Sequence, residues 1–130
     1  RAGAAMLNGA LTVWPDATVG FLGLARDETT LTSSVYLSRL GDVVGRDVVV
    51  LEPMLATGGS LSEALALIAE AGPPASLTVV GVVAAPEGVA VVEEAWPDAH
   101  LVFAALDERL TANGFIYPGL GDAGDRAWGA

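Results

Sequence analysis

Cysteine and lysine are both missing from this 130-residue chain, and histidine occurs once. Without cysteine there are no disulfides, no thiolate nucleophiles and no cysteine metal sites. Without lysine, all six cations are arginines: Arg1, Arg26, Arg39, Arg46, Arg109 and Arg126. That excludes a phosphate-loop lysine and a Schiff-base lysine. The lone His100 cannot build a multi-histidine metal site, and just before the apolar run Leu101–Ala105 it reads as a surface residue at a strand edge. No apolar run approaches the roughly 20 residues of a membrane span. No stretch shows the secretory pattern of basic head, apolar run and small-residue cleavage site.

Positive charge is scarce as well. The net charge of −10 repels nucleic-acid backbone and anionic membrane alike, so neither is an expected partner. An anionic substrate would have to be met by local arginines, backbone N–H groups or a metal ion. For most of the acids, solubility is explanation enough. Apolar residues make up 52% of the chain, which argues against disorder and for one domain, residues 1–130, with a real core. The chain opens on Arg-Ala-Gly with no initiator methionine, and is read as a piece that starts inside a structural element.

What is present alternates. Val48–Leu51 is a continuous apolar run of the kind a strand buried on both faces shows. The next segment, SLSEALALIAEAG, reads as a helix. Ser60 or Ser62 can cap it, Leu61, Leu65 and Ile68 share a face, and Gly72 with Pro73 and Pro74 stops it. SLTVVGVVAA is a second strand, EGVAVVEEAW a second helix ended by Pro97, and HLVFAAL a third strand. This succession is two crossover units and implies a parallel sheet flanked by helices. TVGFLGLA upstream reads as a further strand. RDETTLTSSVYLSRLG between them lacks helical periodicity and reads as an exposed hairpin or arm.

The chemistry concentrates after Val48–Leu51, in Glu52-Pro-Met-Leu-Ala-Thr-Gly-Gly-Ser60. In open parallel sheets ligands bind beyond the carboxyl ends of strands. Ala56, Gly58 and Gly59 leave backbone uncovered, and Thr57 and Ser60 add hydroxyls. With the N-terminus of the following helix, these groups form a cradle for a phosphate. Glu52, at the strand tip, can accept hydrogen bonds from two sugar hydroxyls. The loop lacks the Gly-Lys-Ser/Thr of a Walker loop and the Gly-x-Gly-x-x-Gly of a dinucleotide fingerprint. Thr-Gly-Gly-Ser before a helix is by itself often only a turn. Four apolar residues, an acid, a short loop and then that tetrapeptide form a far more specific pattern.

That pattern resembles the phosphoribosyl-diphosphate signature of the type I phosphoribosyltransferases. PMLATGGS, with GFIYPGLGDAGDRAWG at Gly114–Gly129, GLARDE at Gly23–Glu28, VAAPEG at Val83–Gly88 and RAG at Arg1–Gly3, is similar in order to the uracil phosphoribosyltransferase family. The likeness runs through nearly the whole chain. It implies an α/β fold, an open parallel Rossmann-like sheet flanked by helices, with residues 27–40 as a mobile β-hairpin arm that folds over substrate. It also implies that the family's N-terminal region is missing here.

The implied reaction joins uracil to phosphoribosyl diphosphate, giving uridine monophosphate and diphosphate. By resemblance, Glu52, Pro53, Met54, Leu55, Ala56, Thr57, Gly58, Gly59 and Ser60 hold the ribose and 5′-phosphate. Arg1 and Arg26 contact the diphosphate, and Asp122 faces the phosphoribosyl diphosphate, with Arg26 and Asp122 as the catalytic pair. For Arg26 the competing role is a surface ion pair with Asp27 or Glu28. Ile116, Gly121, Asp122 and Ala123 contact uracil, whose two carbonyls and N–H can be read by backbone groups alone. The plainer alternative for this segment is a glycine-rich C-terminal turn. Asp125 and Arg126 are read as a local ion pair shaping the loop.

The resemblance implies magnesium bound with the substrate and no metal held by the protein itself. It also implies a homo-oligomer, GTP as an activator and a cytoplasmic location. A non-catalytic nucleotide-sensing module on the same fold is the alternative. One departure stands at Glu52, where the family has aspartate.

Overall fold

The computed structural model describes residues 2–26 and 33–129, with Arg26 and Ser33 described by backbone alone. In chain order the elements are α1 (Ala4–Val13), β1 (Phe21–Arg26), β2 (Ser33–Arg39), β3 (Asp47–Leu51), β4 (Met54–Leu55), α2 (Gly59–Ala71), β5 (Ser76–Ala84), α3 (Pro86–Ala95), β6 (His100–Leu106), β7 (Arg109–Leu110), β8 (Ile116–Tyr117) and α4 (Ala123–Trp128).

The parallel sheet is built from β3, β5 and β6, with β5 central. β4 pairs with the same strand. Leu51 lies opposite Val80 and Met54 opposite Val83, so β3 and β4 are one strand interrupted at Glu52-Pro53. Proline has no N–H to give to a ladder, but the Pro53 carbonyl accepts from both Val82 (2.9 Å) and Val83 (3.1 Å). The register survives the break.

Alternation along the strands decides what lies beneath them. Val48 and Val50 of β3, Leu77 and Val79 of β5, and Leu101 and Phe103 of β6 pack toward α2 and α3. There they meet Leu61, Leu65 and Ile68, the predicted inner face of α2, and Val92 of α3. Leu65, Val79 and Val92 are fully buried. The opposite face departs from expectation. Val49, Val82 and Val102 keep 37%, 42% and 54% exposure. Beside Leu51 and Val80 that face is approached by Met6, Gly9, Ala10, Val13 and Trp14 of and just beyond α1, around a hollow of about 310 Å3. The apolar runs are continuous, as for a strand buried twice, but the described helices fully cover one face only.

The helix-start expectation also needs correction. The N-cap of α2 is Gly58, at φ +84°, with no side-chain cap. The left-handed conformation there suits glycine, so neither Ser60 nor Ser62 caps the helix. The predicted stop at Gly72 holds, its N–H bonding the Ala69 carbonyl.

The upstream strand stands outside the parallel sheet. β1 pairs antiparallel with β2, Phe21 opposite Arg39 through Arg26 opposite Ser33, with an irregularity at Gly23/Leu24. Residues 33–39 of the expected hairpin arm are therefore strand, while 27–32 lie outside the described residues.

Candidate functional site

Glu52 through Ser60 run along the carboxyl ends of the parallel strands, and the chain holds them there from two sides. From the sheet, the Glu52 N–H donates to the Val80 carbonyl (3.0 Å) and the Ala85 N–H donates to the Leu55 carbonyl (2.8 Å). Leu55 is 1% exposed and points into the main core. From the other side comes α3. A Cβ at Gly88 would overlap the Ala56 carbonyl oxygen, and one at Gly58 would meet the Gly88 carbonyl oxygen at 3.0 Å. Only a bare backbone at Gly88 lets α3 approach this closely. VAAPEG therefore serves as a backing plate for the loop.

Glu52 is half-buried, and its Oε1 accepts the Met54 N–H at a long 3.5 Å. Burial pushes its carboxyl above the ordinary value of 4.5, and the Met54 N–H opposes that only partly. Removing a carboxylate from water disfavours its charged form. A ligand supplying hydroxyl donors would reverse the balance.

The second segment, Gly114–Gly129, reaches the same end of the sheet. Arg109 pairs with Tyr117 and Leu110 with Ile116 in the antiparallel β7–β8 hairpin. Glu87, on the first turn of α3, accepts the Leu110 N–H at 2.9 Å. That bond, its own backbone N–H and the nearby Arg109 guanidinium hold its carboxyl below the ordinary range. The same guanidinium stacks 4.2 Å from the centre of the Tyr117 ring. The Ile116 side chain is 6% exposed and forms a second small core with Val83 and Ala85. Met54 and Ala56 of the first loop pack on that core, as do Leu110 of β7 and Leu120 of the second segment. A Cβ at Gly114 would lie 3.5 Å from Thr57 Cγ2. The two segments meet through this shared cluster and the Thr57–Gly114 approach.

Gly121 and Asp122, just beyond the cluster, are exposed. Gly121 has φ +82°, and the nearest atom to its Cβ position is Arg126 Cδ at 3.9 Å. Asp122 caps α4, its Oδ1 accepting the Asp125 N–H at 2.8 Å. Ala123 is half-buried and Gly124 buried. Arg126 makes a bond in this loop that the sequence did not suggest: Nη1 donates to the Leu120 carbonyl at 2.7 Å.

The structure thus brings Glu52–Ser60, Ile116 and the Gly121–Ala123 stretch to one end of the sheet. Arg1 and the Arg26 side chain lie outside the described residues. Among those described, no group of three or more His, Asp or Glu is placed to hold a metal ion, and no helix is long and apolar enough to cross a membrane. Two contributors went unassigned from sequence. Gly88 was visible only as part of a motif. Asp107, whose Oδ2 accepts the Gly119 N–H at 2.8 Å, had one available signal: like Glu52, it is an acid directly after an apolar strand.

Comparison with known proteins agrees over the full length. The family described as uracil phosphoribosyltransferase matches residues 1–130. A protein of that name from Kineococcus radiotolerans is 52% identical over 99% of this chain and 63% of its own length. Its namesake from Clostridium acetobutylicum is 48% identical over 99% of this chain and 62% of its own. A solved structure of an Aquifex aeolicus protein superposes with a TM-score of 0.95 at 48% identity, covering 98% of this chain and 61% of that one. The chain spans a little under two thirds of the length of the relatives it matches.

Proposed function

The chain belongs to the uracil phosphoribosyltransferase family, and from that premise we propose that it transfers the phosphoribosyl group of phosphoribosyl diphosphate to uracil, releasing diphosphate and forming uridine monophosphate. The observation that carries the reading is the shared apolar cluster. Met54 and Ala56 of one loop and Ile116 and Leu120 of the other pack on the same few residues beyond the strand tips. Two glycine-rich segments built on one floor suit two substrates that must meet.

In this reading the backbone N–H groups of Thr57–Ser60 and the start of α2 hold the 5′-phosphate, and Glu52 accepts the ribose hydroxyls. Its carboxyl is desolvated in advance, so hydrogen bonds from the sugar restore what burial removed. The Ile116 side chain is committed to the core, which leaves main-chain groups there and at Gly121 and Ala123 to read uracil. Asp122 faces the sugar diphosphate, and Arg1 and Arg26 meet its diphosphate.

The C–O bond from C1′ to diphosphate breaks as the bond from C1′ to the ring nitrogen forms, and the proton of that nitrogen passes to water or to the released diphosphate. Charge develops on the ribose and the leaving group, so positioning and electrostatics dominate over proton transfer. Magnesium enters as part of the substrate, bound to phosphoribosyl diphosphate. The described part of the expected arm, β2 at Ser33–Arg39, closes over the bound pair and excludes water. A cytoplasmic homo-oligomer with GTP as activator completes the proposal.

A sensing module on the same fold would need the phosphate loop but would have no use for Gly114–Gly129. Diphosphate release from phosphoribosyl diphosphate, measured with uracil, with cytosine and without base, tests the reading. Release with uracil alone is expected; equal release in all three would remove the proposed base specificity.

A further inference from the structure

We propose that Asp107 is a positioning residue for base recognition: its carboxylate holds the Gly119 N–H and so sets the course of the main chain through Gly121–Ala123. The inference rests on the reading of Gly114–Gly129 as the uracil segment, and assigns that site a determinant of base binding separate from sugar-phosphate binding.

The geometry is that of a hairpin continued by a side chain. In β7–β8 the register sets Arg109 opposite Tyr117 and Leu110 opposite Ile116, and the Glu108 N–H donates to the Tyr117 carbonyl at 3.0 Å. Continued past Pro118, which has no N–H to give, the same register sets Asp107 opposite Gly119. There the carboxylate oxygen takes the role a backbone carbonyl would have, accepting the Gly119 N–H at 2.8 Å. Asp107 is itself fixed to the sheet, its own N–H donating to the Ala84 carbonyl at the tip of β5 (2.8 Å).

Glycine has more backbone freedom than any other residue, so Gly119 needs a tie to hold this course. It sits at φ +62°, and a Cβ there would overlap the Ile116 carbonyl oxygen. From Gly119 only Leu120 intervenes before Gly121. Leu120 is tied on its far side, by its side chain to the cluster and by its carbonyl to Arg126. Asp107 therefore controls the entrance to the Gly121–Ala123 stretch. The phosphate loop hangs on its own bonds to β5 and α3 and does not depend on it.

The test uses the full 130-residue chain with Asp107→Ala, Asp107→Asn and, as a control at the far end of the sheet, Asp98→Asn. A hydrogen bond to a charged group supports an effect of about tenfold or more. Asp107→Ala is expected to raise KM for uracil by that factor, with KM for phosphoribosyl diphosphate unchanged within about twofold. Asp107→Asn, whose amide oxygen still accepts, recovers most of the loss, and the control changes nothing. Amide exchange gives a second readout without turnover: Asp107→Ala speeds exchange at Gly119 but not at Ala85. Equal rises in both KM values would mean a merely structural role and overturn the inference. So would an unchanged KM for uracil, or unchanged exchange at Gly119. A wild-type chain that neither binds nor turns over uracil defeats the reading of the site and the inference with it. Wild-type activity that Asp107→Ala shares in full defeats the inference alone.

Discussion

The two glycine-rich segments of the site are held in place by different physics. Glu52–Ser60 is secured by backbone: ladder bonds from β5, the Leu55 carbonyl and the bare contact of Ala56 with Gly88. The second segment, Gly114–Gly129, has hairpin backbone bonds only as far as Tyr117; from Pro118 on it is secured largely by side chains: Asp107 on Gly119, Asp122 on Asp125 and Arg126 on Leu120. A loop continuous with a sheet inherits the sheet's register. A loop beyond the last strand must be tied by whatever side chains reach it, and two of these three ties are carboxylates. In the proposed function, a grip on the constant sugar phosphate would thereby be built into the fold, whereas recognition of the base would depend on individual residues.

Removing the floor common to both segments should have the largest effect. Ile116→Ala opens a cavity where the two meet and should cost about 3 kcal/mol of stability. It should also raise KM for both substrates, read by denaturant unfolding and steady-state kinetics. A rise for uracil alone would show that the cluster serves one segment only. Gly88→Ala strikes the phosphate side. Its Cβ must displace the Ala56 carbonyl, for about 2 kcal/mol of overpacking strain and weakened binding of phosphoribosyl diphosphate, with KM for uracil little changed. Calorimetric titration of the sugar diphosphate would check it.

Acid should separate the segments by sign. Glu87 has a folded pKa below 4.5, so it contributes stability present above 4.5 and lost as pH falls through the folded value. Glu52 has a folded pKa above 4.5, so its contribution is full below 4.5 and lost as pH rises through the folded value. Thermal melting from pH 3 to 7 should find Glu87→Gln destabilising only in the upper part of the range. Glu52→Gln should be stabilising there and neutral below 4.5. Parallel curves for the two variants would contradict the contrast. The smallest effect is expected from Glu52→Asp, a modest gain in affinity for phosphoribosyl diphosphate, within about threefold. No gain would show that the longer acid is already accommodated.

Much of the fold was legible because its signals are local. Apolar runs bounded by glycine and proline marked β3, β5 and β6, and the spacing of Leu61, Leu65 and Ile68 marked the buried face of α2. What was misread depended on neighbours. Continuous apolar character in Val48–Leu51 does not say whether a second layer arrives, and Val49 remains partly exposed. Serine at the start of α2 satisfies a capping preference, but Gly58 already turns the chain in the conformation that caps it. Adjacency suggests Asp125 as a partner for Arg126, but it gives no hint of the Leu120 carbonyl that the fold also offers its guanidinium.

By itself the sequence determined the order of strands and helices, the bare loop after Glu52 and the second bare segment near the C-terminus. Each follows from residue types within a dozen positions: apolar periodicity, chain-breaking residues and the lack of side chains where backbone is to be exposed. Only the tertiary structure decided that the two segments share one floor, that Gly88 braces the first and that Asp107 and Glu87 fasten the second. Most of those relations join residues further apart than that, and the hydrogen bonds and contacts that define them exist only once the parallel sheet has brought its strand tips to one edge.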